Sequence, residues 1–495
     1  MVTSNLAFVA ANIVIAATIL AVIAVAAMAI HRIVALPNQP VGYASALALS
    51  IGGFGMIIFL FAAAGLLEQP MWWVFAALLH LGIAGGLAWV VPRPSSSGDM
   101  QTNHSQDACA AVSRDGWRIA PALAFLAWVV AFDLLKCFEP QFRGDALWYH
   151  LTLPKYWVEK SGLRPHPSLS VAGYPLLIEM IYTVPVSCGL PFAARITHLA
   201  FGVGVVLAIY GWLRSRLSSA GAMAFSVAFF LFDSVNEVAT WANTDLGRTF
   251  FLVCAAACLA TYMDWGRRRD LVVAAALSGL AMSTHYLAIV FGNGLLTIAL
   301  IATRVHRGQD AHGTKVRAGA RQIARDLAVF WLVSLAVFAP WLAKNLIHYG
   351  QPFYGLKGTN LRLPGGKTLT DFFFGNVSFV GPVIVALWFF ARRDSGHGVR
   401  LLAVYLVAYL VVGAFELPPI MRFFLPVYAI GLMLLGRAAA PLLSGRRSLE
   451  LAFSVALLVI GIAMTCYQWR HHLYEAPMEF IFHNKPPAST IIWHQ

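Results

Sequence analysis

Acidic side chains are scarce in this chain, and several fall where chemistry could use them. Asp145, in FRGDALWYHLTLPKYW, directly follows the apolar run IAPALAFLAWVVAFDLLKCF. Asp245 opens DLGRTFFLVCAAACLA, and Glu179 lies inside the apolar GYPLLIEMIYTVPV. A carboxylate in a partly dry site can take the proton of an attacking hydroxyl, so Asp145 is the candidate base. Asp245 could join it in holding a divalent cation, the two being the metal ligands if any metal is used. Cations suited to a phosphate stand at Arg422, just after LPPI, at Lys344 in PWLAKN and at His285 in STHYLAI. A guanidinium offers a planar fork of donors that stays charged, whereas an imidazole is neutral or charged according to its surroundings. His150, Glu179 and Tyr174 complete the candidate binding group.

Each residue also has a plainer reading. Both aspartates could be helix N-caps, and Arg248 could neutralise Asp245 as a structural pair. Arg422 could snorkel to an interface, as arginines near helix ends do. His285 could be a buried, hydrogen-bonded histidine, and His150 a polar residue at a membrane interface. Trp148, Tyr149, Tyr156 and Trp157 read as headgroup-depth anchors rather than sugar platforms.

The elements that must position these groups are membrane helices. Of 495 residues, 59% are hydrophobic and 12% charged, and mean hydropathy is +0.71. The apolar residues come in runs long enough to cross a bilayer, about fourteen of them. They cover roughly 6–30, 42–66, 71–92, 119–138, 192–213, 219–235, 246–263, 271–284, 286–303, 326–345, 376–392, 399–416, 421–440 and 450–468. The first run is too long for a signal-peptide core and has no small-residue cleavage site, so it reads as a retained helix. The alternating short segments of a β-barrel are absent. With the N-terminus outside, every second loop is arginine-rich, from Arg214 and Arg216, through Arg267, Arg268 and Arg269, to Arg446 and Arg447. The net charge of +13 is therefore a topology signal facing anionic lipid headgroups, and not a nucleic-acid footprint. Six scattered cysteines, with no CxxC, indicate neither a metal nor a disulfide framework.

Residues 1–92 read as an N-terminal three-helix membrane unit, and the Ser-rich 93–118 as a cytoplasmic linker. A core follows over 119–468, and 469–495 form an outer tail. Within the core, 139–191 is the longest outer loop, too apolar to be solvated and broken by Pro154, Pro165, Pro167, Pro175 and Pro185. Leu147, Leu151, Leu153, Trp157 and Val158 approximate one face of a helix there. That helix and GYPLLIEMIYTVPV are expected to lie in the membrane interface. The stretch 174–188 is not counted as a span, because doing so would put the arginine-rich loops outside. Asp133, Asp145, Glu179, Glu237, Asp245 and Glu416 all fall near outer ends of spans, which suggests a polar cavity at the outer face.

Four stretches, in order, resemble motifs of the GT-C membrane glycosyltransferases, broadly glycosyltransferase family 39. These include the protein O-mannosyltransferases and the lipid A aminoarabinose transferase. GDALWYHLTLPKYW resembles the first-loop motif and WANTDLGRTFFLVCAAACLA the second. FAPWLAKNLIHYGQPFYG resembles a pattern of bacterial members, and MRFFLPVYAIGLML the Arg-aromatic opening of a late helix. The likeness spans about 119–440 and departs at STHYLAI, where many relatives carry Lys before Tyr.

It implies an all-α GT-C-type bundle that transfers a hexosyl or pentosyl unit from a polyprenyl-phosphate donor in an inverting single displacement. The acceptor would be a glycan, lipid or protein at the periplasmic face of a bacterial inner membrane. Asp145 would be the base, with Arg422, Lys344 or His285 on the phosphate. The alternatives are an inactive GT-C-like scaffold subunit of a membrane complex, and a lipid or glycan transporter. The transporter would need charges lining a path at the midplane, whereas the acids here cluster at outer ends.

Overall fold

The computed structural model describes residues 2–34, 40–69, 71–90, 116–139, 144–309, 316–355, 396–416, 421–443 and 446–468. Among these residues there is no β-strand. The helices are α1 (Val2–Val34), α2 (Pro40–Ala63), α3 (Trp72–Val90), α4 (Gly116–Lys136), α5 (Thr152–Glu159), α6 (Leu177–Ser187), α7 (Phe192–Leu213) and α8 (Ser219–Val227). They continue with α9 (Asp233–Ala239), α10 (Asp245–Trp265), α11 (Arg268–Thr284), α12 (Leu295–Gln309), α13 (Val316–Tyr349), α14 (His397–Glu416), α15 (Leu425–Leu443) and α16 (Arg447–Gln468). The protein is a multi-pass, all-helical membrane protein. Nine described helices are long and apolar enough to span a bilayer, or ten if α8 and α9, bent 74° at their junction, form one span.

The expectation of about fourteen full-length spans is not confirmed. Over 271–284 the chain forms α11, of 17 residues, a rise of about 25 Å against a hydrocarbon core of about 30 Å. The expected spans 286–303 and 399–416 are likewise helices of 17 residues or fewer in their apolar stretch, and 376–392 lies outside the described residues. A π-helical stretch over 289–294 interrupts the former. The carbonyl of Phe291 in it takes a hydrogen bond from Tyr405 Oη at 2.8 Å. Bends and π-turns of this kind expose backbone groups, and here another helix supplies the missing partner.

The centre of the bundle is α10, whose apolar window is 94% buried. Its Ala-rich run lets α2, α7, α11 and α14 pack directly on it, as small residues do where helices meet without a hydrophobic driving force. The N-terminal helices pack against this core. Ser45 of α2 lies 3.2 Å from Cys258 Sγ of α10, and the Ala193 amide at the head of α7 donates to Asn12 Oδ1 of α1 at 3.0 Å.

The α11–α13 contact is closer still. A Cβ built on Gly279 would stand 2.6 Å from the Ser334 carbonyl oxygen and 2.8 Å from Val337 Cβ. Gly279→Ala must therefore push these helices apart and should lower stability by about 1–3 kcal/mol, read as a lower thermal midpoint in detergent. Gly82→Ala in α3, where nothing lies within 4 Å, should leave the midpoint unchanged or raise it.

The outer loop differs from expectation in one respect. The face expected to grip lipid turns inward: Leu151, Leu153 and Trp157 are buried, and α6 is buried at every residue from Leu177 to Val186. α6 is enclosed in the protein, and α5 turns its buried face toward it. Trp148 alone among the four aromatics is largely exposed, and Tyr149 belongs to the interior.

Candidate functional site

The site forms where the segment after α4 meets the N-terminal end of α10 and the turn that leads into α15. Asp145 precedes a π-turn over 146–150 and makes no side-chain capping bond, so it is not acting as an N-cap. Its Oδ2 instead accepts a hydrogen bond from Arg422 Nη2 at 2.5 Å. Arg422 stands in a short 3-10 turn, 421–424, that leads into α15. Asp245 is the first residue of α10, and its Oδ1 accepts from Arg248 Nη2, one turn on, at 2.8 Å. Its Oδ2 faces Arg422 Nε at 3.9 Å. The four charges form a chain, Asp145–Arg422–Asp245–Arg248. Both guanidiniums approach the Phe423 ring, Arg422 at 5.4 Å and Arg248 at 5.8 Å from its centroid.

Exposure runs along the same chain. Asp145 is 36% exposed and Arg422 20%, whereas Asp245 is 6% and Arg248 2%. The inner pair is buried, and the outer pair is the more exposed of the two. Tyr149 sits beside them. Burial first, then the charges of Glu179, Asp145 and Asp245, push its phenol well above the usual range, so it remains an O–H donor.

A second pair lies behind. His150 Nδ1 and Glu179 Oε1 are 2.7 Å apart, each side chain 1% exposed. A glutamate there fixes the proton on Nδ1, and the remaining atoms His150 Nε2 and Glu179 Oε2 have no hydrogen-bond partner among the described residues. The π-turn makes this possible, since its wider spacing turns both Tyr149 and His150 inward.

His285 ends α11 in extended conformation. Its Nδ1 accepts from the Leu287 amide at 3.1 Å, which leaves the proton on Nε2. Burial first, then the electrostatic influence of Arg248 and of the other basic neighbours, holds its imidazole well below the usual histidine range. It is therefore a neutral donor, not a second cation.

Lys344 is directed elsewhere. Its ammonium donates to the carbonyls of Ala172 at 2.7 Å and Tyr174 at 3.1 Å, and neighbouring Asn345 donates to Gly173 O at 2.7 Å. Together they fasten the loop to α13. Tyr174 contributes that carbonyl, and its ring meets the edges of His285 and Tyr286 at 5.6 Å.

Five of the groups expected from sequence thus converge, Asp145, Asp245, Arg422, His150 and Glu179, with His285 and Tyr174 beside them. Asp133 is not among them, its charged neighbours being Lys136 and Glu139. Two buried residues of α7 were not singled out from the sequence: His198 joins the site, and Arg195 ties the end of α4 to the turn after α9. Arg195 Nε donates to Thr240 O at 2.6 Å and Nη2 to Lys136 O at 2.8 Å. His198 donates through Nδ1 to Val238 O and accepts the Leu246 amide on Nε2, both at 3.1 Å. His198 thereby caps the first turn of α10 next to Asp245. Two buried polar residues three apart within an apolar span were the signal available.

As for a metal, Asp145 and Asp245 both face guanidiniums. Among the described residues no group of three or more His, Cys, Asp or Glu side chains could hold an ion.

A many-spanned all-helical bundle with a structured segment between early spans resembles the fold of the GT-C membrane glycosyltransferases. The comparisons agree. Residues 175–316 match the family model described as dolichyl-phosphate-mannose-protein mannosyltransferase. The crystal structure of ArnT from Cupriavidus metallidurans bound to undecaprenyl phosphate superposes with a TM-score of 0.52 at 15% identity, over 74% of each chain. The apo form of that protein gives the same values. No curated protein matches in sequence. This chain has the GT-C fold.

Proposed function

We propose that the protein is a glycosyltransferase that takes a sugar from a polyprenyl-phosphate donor and passes it to an acceptor hydroxyl at the periplasmic face of a bacterial inner membrane. The acceptor oxygen attacks the anomeric carbon while Asp145 takes its proton. The bond from that carbon to the phosphate oxygen breaks, and polyprenyl phosphate departs with its growing charge held by Arg422. One displacement with no enzyme nucleophile inverts the anomeric configuration. Tyr149 and His285 supply neutral donors to the sugar or phosphate oxygens, and the His150–Glu179 pair forms the wall behind. The transferred group is a hexosyl or pentosyl unit.

The observation that carries this reading is the meeting of Asp145 with Arg422, 277 residues apart in sequence. An anionic lipid donor also fits the relative in fold, ArnT, which was crystallised with undecaprenyl phosphate. The test is an assay of the purified full chain in nanodiscs, with polyprenyl-phosphate-linked pentose and hexose donors and periplasmic lipid, glycan and protein acceptor pools. Release of polyprenyl phosphate, with an inverted glycosidic product, is expected. Absence of release with every donor and pool overturns the reading in favour of a scaffold subunit.

A further inference from the structure

The base and the phosphate-binding arginine of the proposed reaction are bonded to each other. Asp145 Oδ2 holds Arg422 Nη2, although each would need to be free to act. Charge sharpens the conflict. Two carboxylates and two guanidiniums make the quartet neutral, so it has no surplus positive charge for an incoming anion. A donor phosphodiester brings one negative charge, and at a partly buried site an uncompensated charge is costly.

The quartet has one member that can leave. Asp245 is buried and fixed on Arg248, and Arg248 is fixed on Asp245 and against Phe423. Arg422 is kept near them by Asp245 and by the same ring. Asp145 is the most exposed of the four, stands in the helical turn that leads into 146–150, makes no capping bond and has Arg422 as its only hydrogen-bonded side-chain partner among the described residues. Arg422 Nε and Arg248 Nε, both buried, have no hydrogen-bond partner among the described residues, so the guanidinium pair has donors left for an anion larger than a carboxylate.

We infer that the Asp145 carboxylate occupies the seat of the donor's phosphate on Arg422, and that the donor must displace it. The exchange is one anion for another, so the site stays neutral, and Arg248 and Asp245 act as positioning residues that hold Arg422 during the swap. Displacement frees Asp145 at the moment a base is required. Binding is then ordered: donor first, acceptor second, with the catalytic carboxylate masked while no donor is present. This inference rests on the function proposed above.

The experiment measures binding of undecaprenyl phosphate to the full chain in nanodiscs, with the uncharged polyprenol as control. Asp145→Asn and Asp145→Ala, two variants so that one misfolded protein does not decide the matter, should bind the phosphate about tenfold more tightly than wild type, the scale of one charge-assisted contact no longer competed for. Polyprenol should bind all three alike. The gain should vanish on an Arg422→Gln background, whereas simple relief of repulsion between Asp145 and the phosphate would survive it. Equal or weaker phosphate binding by both variants, or a gain that persists without Arg422, overturns the inference and leaves the proposed function standing. If wild type binds the phosphate no better than polyprenol, the proposed function falls, and the inference with it.

Discussion

Asp145→Asn is expected to cut transfer by about 10²–10⁴-fold, the range associated with removing a positioned general base. Asn keeps the size and hydrogen-bonding reach of Asp but cannot accept the acceptor's proton. The structural cost should be small. The side chain caps nothing, and it is 36% exposed, where an ion pair contributes little after solvent screening. Turnover is followed by release of polyprenyl phosphate, and a thermal melt on the same preparation checks folding. An unchanged melt with lost turnover assigns the role to chemistry. Unchanged turnover would sink Asp145 as the base, and the role would pass to the buried His150–Glu179 pair, which has the paired geometry of an oriented imidazole.

How much of this was legible in the sequence follows from how each group reports itself. Asp145, Glu179 and Asp245 stand out because carboxylates at membrane depth are rare and need a partner. The arginine-rich loops between alternate spans lead to the expectation that these acids lie on the outer side. The partner of Asp145 could not be read, because it lies 277 residues away and nothing local marks the pairing. The loop helices were legible as helices but not in orientation. An amphipathic face of Leu and Trp looks the same whether it meets lipid or a neighbouring helix, and here it meets α6, itself buried throughout. The π-turn over 146–150 is invisible to a 3.6-residue period, yet it aims Tyr149 and His150 inward. Span counting leaves the count at α11 and the α12 region unconfirmed, because apolar composition fixes neither the length of a helix nor the place of a break. The helix break at Phe232 is of the same kind: FFLFDSVNE is apolar enough to run on, but Phe232 is extended and Asn236 Nδ2 donates back to Phe230 O at 2.8 Å.

Three cations of the sequence suit a phosphate, and the structure separates them. Lys344 donates to two loop carbonyls, and His285 is held neutral. Arg422 is the remaining full charge at the mouth of the site, with a fork that can meet two phosphate oxygens at once. Arg422→Gln should therefore lower turnover by about 10²–10³-fold, the scale of deleting one preorganised donor to a developing oxyanion. His285→Gln should lower it by less than about tenfold, since a neutral donor is exchanged for another neutral donor. Arg422→Lys keeps the charge but not the fork and should fall between Gln and wild type. The division between kcat and KM carries the argument further. The charge on the departing phosphate grows as the bond to the sugar breaks, so Arg422→Gln should depress kcat more than it raises KM for the donor. A change confined to KM would mean that Arg422 only grips the ground state. A His285→Gln loss equal to that of Arg422→Gln would mean that the imidazole, despite its burial, carries the charge when the donor is in place.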